Sequence, residues 1–174
     1  MATELNQTVK ALQFAIQMEI DGKEYYLKIS QKSRDEVGKK LLAALSVAED
    51  IHRQKFESIF ESIRAKQAWP SVKLPLPAKG IKTIFAEALG QIKPGSRGTA
   101  TEIDAVDKAI DMETRSYDYY KSQAKRAAGA EMEFYEAVVA EEQVHHLVLL
   151  DYKEFLNNPA AWFVKAEHPS FDGA

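Results

Sequence analysis

Cysteine is absent from the 174 residues. Its absence excludes disulfides, thiolate chemistry, zinc ribbons and iron sites of the four-cysteine type. Any metal must then be held by carboxylate oxygen and imidazole nitrogen, which suit iron, manganese or zinc. No apolar run reaches the roughly 18 residues of a membrane span, so no membrane partner is expected. An excess of positive charge is also missing. Lys and Arg total 23 against 26 Asp and Glu, a formal net charge of -3, so no basic field advertises a nucleic-acid partner. The opening Met1-Ala2-Thr3-Glu4-Leu5-Asn6 lacks the basic start and apolar stretch of a secretory signal, and the expected location is the cytoplasm.

Glycine and proline are few and lie mostly outside four long segments. The first runs from about Thr3 to Ser30, with Leu5, Val9, Leu12, Ile16, Ile20 and Leu27 at helical spacing. Ser33 and Glu36 have the spacing of a capping box and predict the start of a second helix, which carries Leu42, Leu45, Phe56, Ile59, Phe60 and Ile63 to about Gln67. Trp69-Pro70 and Leu74-Pro75-Leu76-Pro77 cannot continue it. A short amphipathic piece follows, roughly Ile81 to Gln91, then a loop, Pro94 to Gly98. Thr99 with Glu102 predicts the cap of a third helix, carrying Ile103, Val106, Ile110 and Tyr117 to about Ala128, with Gly129 as its C-terminal cap. The fourth carries Phe134, Val138, Val139, Leu149 and Phe155, and Asn157-Asn158-Pro159 ends it. The expected fold is all-α: residues 1–158 form a four-helix bundle of two antiparallel hairpins joined by a long crossover at about 68–98. Residues 159–174 form a tail that packs on the bundle or on a partner subunit, with Trp69 and Trp162 as anchors or subunit contacts.

The two hairpins repeat each other. Ala15-Ile16-Gln17-Met18-Glu19 and Tyr25-Tyr26 recur 94 residues later as Ala109-Ile110-Asp111-Met112-Glu113 and Tyr119-Tyr120. Glu49-Asp50-Ile51-His52 recurs 93 residues later as Glu142-Gln143-Val144-His145. Glu19 and Glu49 each stand 15 residues from Arg34, at the centre of the first turn. At about 1.5 Å per residue both lie roughly 22 Å from the turn. Glu113 and Glu142 flank the second turn almost symmetrically. All four fall inside apolar stripes, so inward packing brings them into one layer.

Four carboxylates in a dry core would repel one another and be forced to protonate. Two divalent cations balance four Glu, with both His neutral as ligands. Glu and His three apart share a helical face and can grip one ion. Glu49 with His52, and Glu142 with His145, are each expected to hold one ion, with Glu19 and Glu113 as single carboxylates from the other helices. Glu141 and His146 point about 100° off the stripe and read as flanking or second-sphere residues. His168 reads as an exposed tail residue. Tyr26 and Tyr120, two turns beyond Glu19 and Glu113, read either as packed core tyrosines or as hydrogen-bond partners or electron relays beside the metals. Tyr25 and Tyr119 face elsewhere and read as packing.

Glu19, Glu49-x-x-His52, Glu113 and Glu142-x-x-His145 resemble the rubrerythrin branch of the ferritin-like superfamily. The stretch Met18-Glu19-Ile20-Asp21-Gly22-Lys23-Glu24-Tyr25-Tyr26 is also family-like, as is the ending Trp162-Phe163 through Phe171-Asp172. The resemblance covers roughly residues 5–157. It implies a non-haem site of two iron ions that reacts with peroxide or dioxygen, in a dimer or larger homo-oligomer. Two features depart from it. Without cysteines there is no rubredoxin-like domain, so electrons would come from a separate donor protein. Ile110 stands one turn before Glu113, where a second carboxylate of the third helix would be expected. The expected activity is an oxidoreductase acting on a small oxidant; the alternative is an iron binding, storage or delivery protein with ferroxidase-type chemistry.

Overall fold

The structure, a computed structural model, describes residues 2–65, 68–74 and 98–164. Its elements are α1 (Ala2–Lys32), α2 (Glu36–Arg64), α3 (Ala100–Ala124), α4 (Ala130–Asn157) and a short α5 (Pro159–Val164). There is no strand among the described residues. No described helix is long and apolar enough to cross a membrane. Each hairpin zips along its full length, α1 on α2 and α3 on α4, and narrower seams between α1 and α3 and between α2 and α4 close the bundle. This is the all-α four-helix bundle that the periodicity predicts.

The helix ends show where local chemistry sets the boundaries. α2 is capped by Asp35, whose Oδ1 accepts the Gly38 amide at 2.7 Å. The expected Ser33–Glu36 box does not form: the Ser33 hydroxyl turns to Asp35 instead. An ionised carboxylate is the stronger acceptor for an amide at the positive end of a helix. α2 ends at Arg64, short of the expected Gln67. Thr99 and Glu102 form both halves of their capping box. α3 stops at Ala124, short of Ala128, because the amides of Lys125, Arg126 and Ala127 turn back onto the last carbonyls of the helix. Gly129, expected to close α3, instead opens α4 at φ 59°.

The core forms two clusters along the bundle. One, around the α1–α2 turn, contains Tyr26, Leu41, Leu45, Val106, Leu149 and Phe155. The other, around the α3–α4 turn, contains Leu12, Phe56, Ile59, Tyr120, Phe134 and Tyr135. Leu5 and Leu27, placed on the apolar stripe by spacing, are 43% and 45% exposed. Both tryptophans pack on their own chain. Trp69 lies against Phe134 and Tyr135, with ring centroids 6.2 and 5.7 Å apart. Trp162 is buried on Phe155 and donates from Nε1 to Asp151 Oδ1 at 2.9 Å. The Ile81–Gln91 piece, His168 and the Phe171-Asp172 ending lie outside the described residues.

Tyr26 of α1 reaches Glu113 of α3, and Tyr120 of α3 reaches Glu19 of α1. These crossed contacts require α1 and α3 to be antiparallel. α2 and α3 therefore run in the same direction, so the end of α2 and the start of α3 lie at opposite ends of the bundle. The described ends of the connection agree: Trp69 sits by α4's first turns, whereas the Gly98 amide donates to the Leu156 carbonyl at 3.0 Å, at α4's far end. The expected crossover thus has a geometric cause.

Asp35 Oδ2 also accepts the hydroxyl of Tyr152 at 2.9 Å, so one side chain caps α2 and ties it to α4. Asp35→Ala removes the cap, worth about 1 kcal/mol, and one hydrogen bond of the buried Tyr152 hydroxyl, worth about 0.5–1.5 kcal/mol. Chemical denaturation should show a loss of about 1.5–2.5 kcal/mol, larger than for Thr99→Ala, which removes a cap alone.

Candidate metal centre

Between the two core clusters lies a polar layer. Glu19, Glu49, His52, Glu113, Glu142 and His145, the six residues singled out by the repeat, are all buried and meet there. Each long helix brings its carboxylate inward because the Glu sits inside the helix's apolar stripe. Ligand atoms of Glu19, Glu49, His52 and Glu142 lie within 4.8 Å of one another, and so do those of Glu49, Glu113, Glu142 and His145. Glu49 and Glu142 belong to both groups. Each Glu-x-x-His pair falls within one group, as expected, and each group adds the Glu of the other pair and one single carboxylate. Each imidazole also faces the opposite hairpin. His52 Nδ1 is 3.3 Å from Glu142 Oε1 and from Glu19 Oε2. His145 Nδ1 is 3.1 Å from Glu49 Oε1 and 3.7 Å from Glu113 Oε2. The two rings are nearly parallel, with centroids 5.7 Å apart.

The unshared carboxylates are braced. Tyr26 Oη donates to Glu113 Oε1, and Tyr120 Oη donates to Glu19 Oε1. Both tyrosines are therefore packed in the core and bonded to the polar layer at once. The neighbouring pair clasps the same seam through the backbone: Tyr25 Oη donates to the Ala105 carbonyl at 2.8 Å and Tyr119 Oη to the Ala11 carbonyl at 2.9 Å. Ala11 and Ala105 are themselves 94 residues apart, so the repeat extends to these contacts.

Glu141 joins the layer as a fifth buried carboxylate, 3% exposed. Its Oε2 is 2.8 Å from His52 Nε2. Spacing along α4 placed it off the apolar stripe but could not reveal that the neighbouring helix brings His52 to it. His146, which also flanks the stripe, stays outside the layer, with Nδ1 3.4 Å from Thr114 Oγ1.

The electrostatics of these groups by themselves are unbalanced. Burial drives the carboxyls of Glu49 and Glu142 well above the usual range, and neighbouring carboxylates push them further. Burial opposes ionisation of Glu113 too, but the facing His145 overrides it and lowers its pKa. Burial would lower the pKa of both histidines, yet facing carboxylates raise it, Glu19 foremost at His52 and Glu113 at His145. Imidazolium charge thus compensates only part of the layer. Glu19 Oε2, Glu49 Oε1, Glu113 Oε2, both Glu142 oxygens and both Nδ1 atoms are buried without a hydrogen-bond partner among the described residues. They are also the atoms that face one another. Unsatisfied oxygen and nitrogen donors converging in a dry layer fit divalent metal ions in number, charge and kind.

A close backbone approach completes the fit. A Cβ on Gly22 would lie 2.8 Å from Glu49 Oε2, so α1 leaves space for that carboxylate by omitting a side chain. Glycine inside a helix costs about 1 kcal/mol relative to alanine, and the position of Glu49 explains why it is used here.

Fold and site together define a helical bundle with a buried carboxylate–histidine centre able to hold metal. The rubrerythrin family model matches residues 10–93, a stretch that includes Glu19, Gly22, Glu49 and His52, and over it the chain is rubrerythrin-like. Glu113, Glu142 and His145 lie beyond that match and are tied to it by the internal repeat. No curated protein and no solved structure matched the chain. The sequence contains no cysteine from which a rubredoxin-type site could be built.

Gly22→Ala should displace the Glu49 carboxylate while improving local helix propensity. Calorimetric titration should show divalent-cation affinity reduced about tenfold or more. The unfolding free energy of the apoprotein should change by no more than about 1 kcal/mol.

Proposed function

We propose that this chain is a non-haem di-iron carboxylate oxidoreductase that reduces peroxide or dioxygen. The observation that carries the reading is the convergence of buried, unpartnered Glu and His donor atoms from all four long helices. In this reading Glu49 and Glu142, which belong to both donor groups, would serve both ions. Glu19 with His52 completes one position, and Glu113 with His145 the other. When bound, two ferrous ions would supply two electrons, enough to reduce peroxide to water or dioxygen to peroxide.

The remaining work falls to the protein. Tyr26 and Tyr120 hold the unshared carboxylates in place and keep hydroxyl protons beside the reacting centre. The apolar clusters on either side exclude water from the layer, which strengthens every charge interaction within it and suppresses side reactions. Small oxidants approach, in this reading, from the groove of about 450 Å³ on the α1–α3 face, where Met18 and Met112 flank Glu19 and Glu113 in sequence. Re-reduction draws on an external electron-donor protein, since the chain holds no cysteine cluster of its own. A cytoplasmic homodimer, with no nucleic-acid or membrane partner, completes the proposal.

Purified protein loaded anaerobically with ferrous iron should retain two ions per chain. After oxidation it should show a near-ultraviolet oxo-bridged band that bleaches on reduction, and it should consume peroxide when a reductant is added. Glu49→Ala and Glu142→Ala should abolish iron retention; two irons per chain in either variant would refute the ligand assignment. Assembly into a cage with many irons per chain, and no peroxide turnover, would favour iron storage or delivery instead.

A further inference from the structure

The internal repeat makes the two metal positions nearly equivalent, but Gly22 stands where the other half has Ser116, and a second difference falls at a histidine contact. Glu49 matches Glu142 and His52 matches His145 at an offset of 93 residues. Tyr26 and Tyr120 brace Glu113 and Glu19 in the same manner. At the same offset, Glu141 corresponds to Ala48, which has no polar side chain. The consequence is visible at the histidines. His52 Nε2 meets Glu141 Oε2 at 2.8 Å. His145 Nε2 is buried with no hydrogen-bond partner among the described residues.

Bundle stability does not account for Glu141. A fifth carboxylate adds to a layer already crowded with negative charge, and its Oε1 is itself buried and unpartnered. Burying such a group costs several kcal/mol that an apolar residue would not incur. Among the described residues its one polar contact is the ring nitrogen of His52 that points away from the other ligands. A carboxylate there fixes the ring proton on Nε2, orients Nδ1 toward the centre and makes that nitrogen more basic. Partners of this kind are worth about 10–100-fold in metal affinity.

We propose that Glu141 makes the two metal positions unequal: the ion held with Glu19 and His52 binds first and tightly, and the ion held with Glu113 and His145 binds second and exchanges more readily. Glu141 acts through His52 and is a positioning residue. The inference rests on the metal-binding reading above and assigns an order and a cause within it.

Anaerobic calorimetric titration of the full chain with Mn(II), and separately with Co(II), tests it without turnover. The wild-type protein should bind two ions in steps separated by about tenfold or more. Glu141→Ala should weaken the first step about 10–100-fold and leave the second unchanged, so that the steps merge. Glu141→Gln keeps the shape and an acceptor oxygen but not the charge, and should fall between the two. His145→Ala should remove the weaker step and retain one tight ion. Wild-type protein that binds neither cation would overturn the metal-binding reading itself. Two wild-type steps of equal affinity would overturn only the inequality. So would equal weakening of both steps in Glu141→Ala and Glu141→Gln, or loss of the tight step in His145→Ala.

Discussion

Like charge confined to a dry layer is the constraint on which the rest of this bundle depends. Glu19, Glu49, Glu113, Glu141 and Glu142 are all buried within one level of the structure, with His52 and His145 beside them. In water such carboxylates would be screened; between two apolar clusters they are not. Protonation can relieve part of the repulsion, as the raised Glu49 and Glu142 indicate. It would do so by discarding the donor character that six convergent side chains provide. Cations relieve it while using that character, and the close approach at Gly22 and the two tyrosine braces are then parts of one arrangement.

The same constraint bears on topology. The carboxylates come from all four long helices, so the helices must hold one common register. Short turns set the register within each hairpin. Between hairpins it is set by the crossed bonds of Tyr26 and Tyr120 and by the backbone clasps of Tyr25 and Tyr119. With α1 antiparallel to α3, no short loop can join α2 to α3. The long connection is thus a requirement of the register and not an ornament on the bundle.

Much of this could be read from the sequence, because helical spacing states which residues share a face. Glu19, Glu49, Glu113 and Glu142 lie inside apolar stripes, and counting from each turn places them at one height. Spacing is silent about the neighbouring helix. Periodicity on α1 could not tell that Leu27 would be left 45% exposed, nor that Tyr26 would end on a carboxylate of the other hairpin. It paired each Glu with the His three residues on, and both pairs hold, but it could not show that each imidazole also meets a carboxylate of the opposite hairpin. The caps failed for a more local reason. Ser33 with Glu36 and Gly129 after α3 have the right chemistry for the roles expected of them. Asp35, one residue from Glu36, offers a better acceptor, and the amides after Ala124 satisfy the last turn before Gly129 is reached.

Duplication alone would give a centre with two interchangeable halves. Among the ligands and their braces the repeat holds: the four carboxylates, the two histidines, both tyrosine pairs and even the alanine carbonyls that accept Tyr25 and Tyr119. It lapses further out. Around Tyr120 the lining is aromatic, with Phe56 stacked at 5.3 Å and Tyr135 at 6.2 Å. Near Tyr26 it is largely aliphatic, from Leu41, Leu45, Val106 and Leu149, and Leu42 occupies the position equivalent to Tyr135. Charge balance and coordination demand matching donors from both hairpins, and that demand reaches no further than the atoms facing the ions. One step behind them, packing needs only volume and dryness, which Leu and Tyr both supply. A difference between the two halves is therefore best carried by a residue one step behind the ligands, where it can tune a histidine without removing a donor. Glu141 occupies such a place.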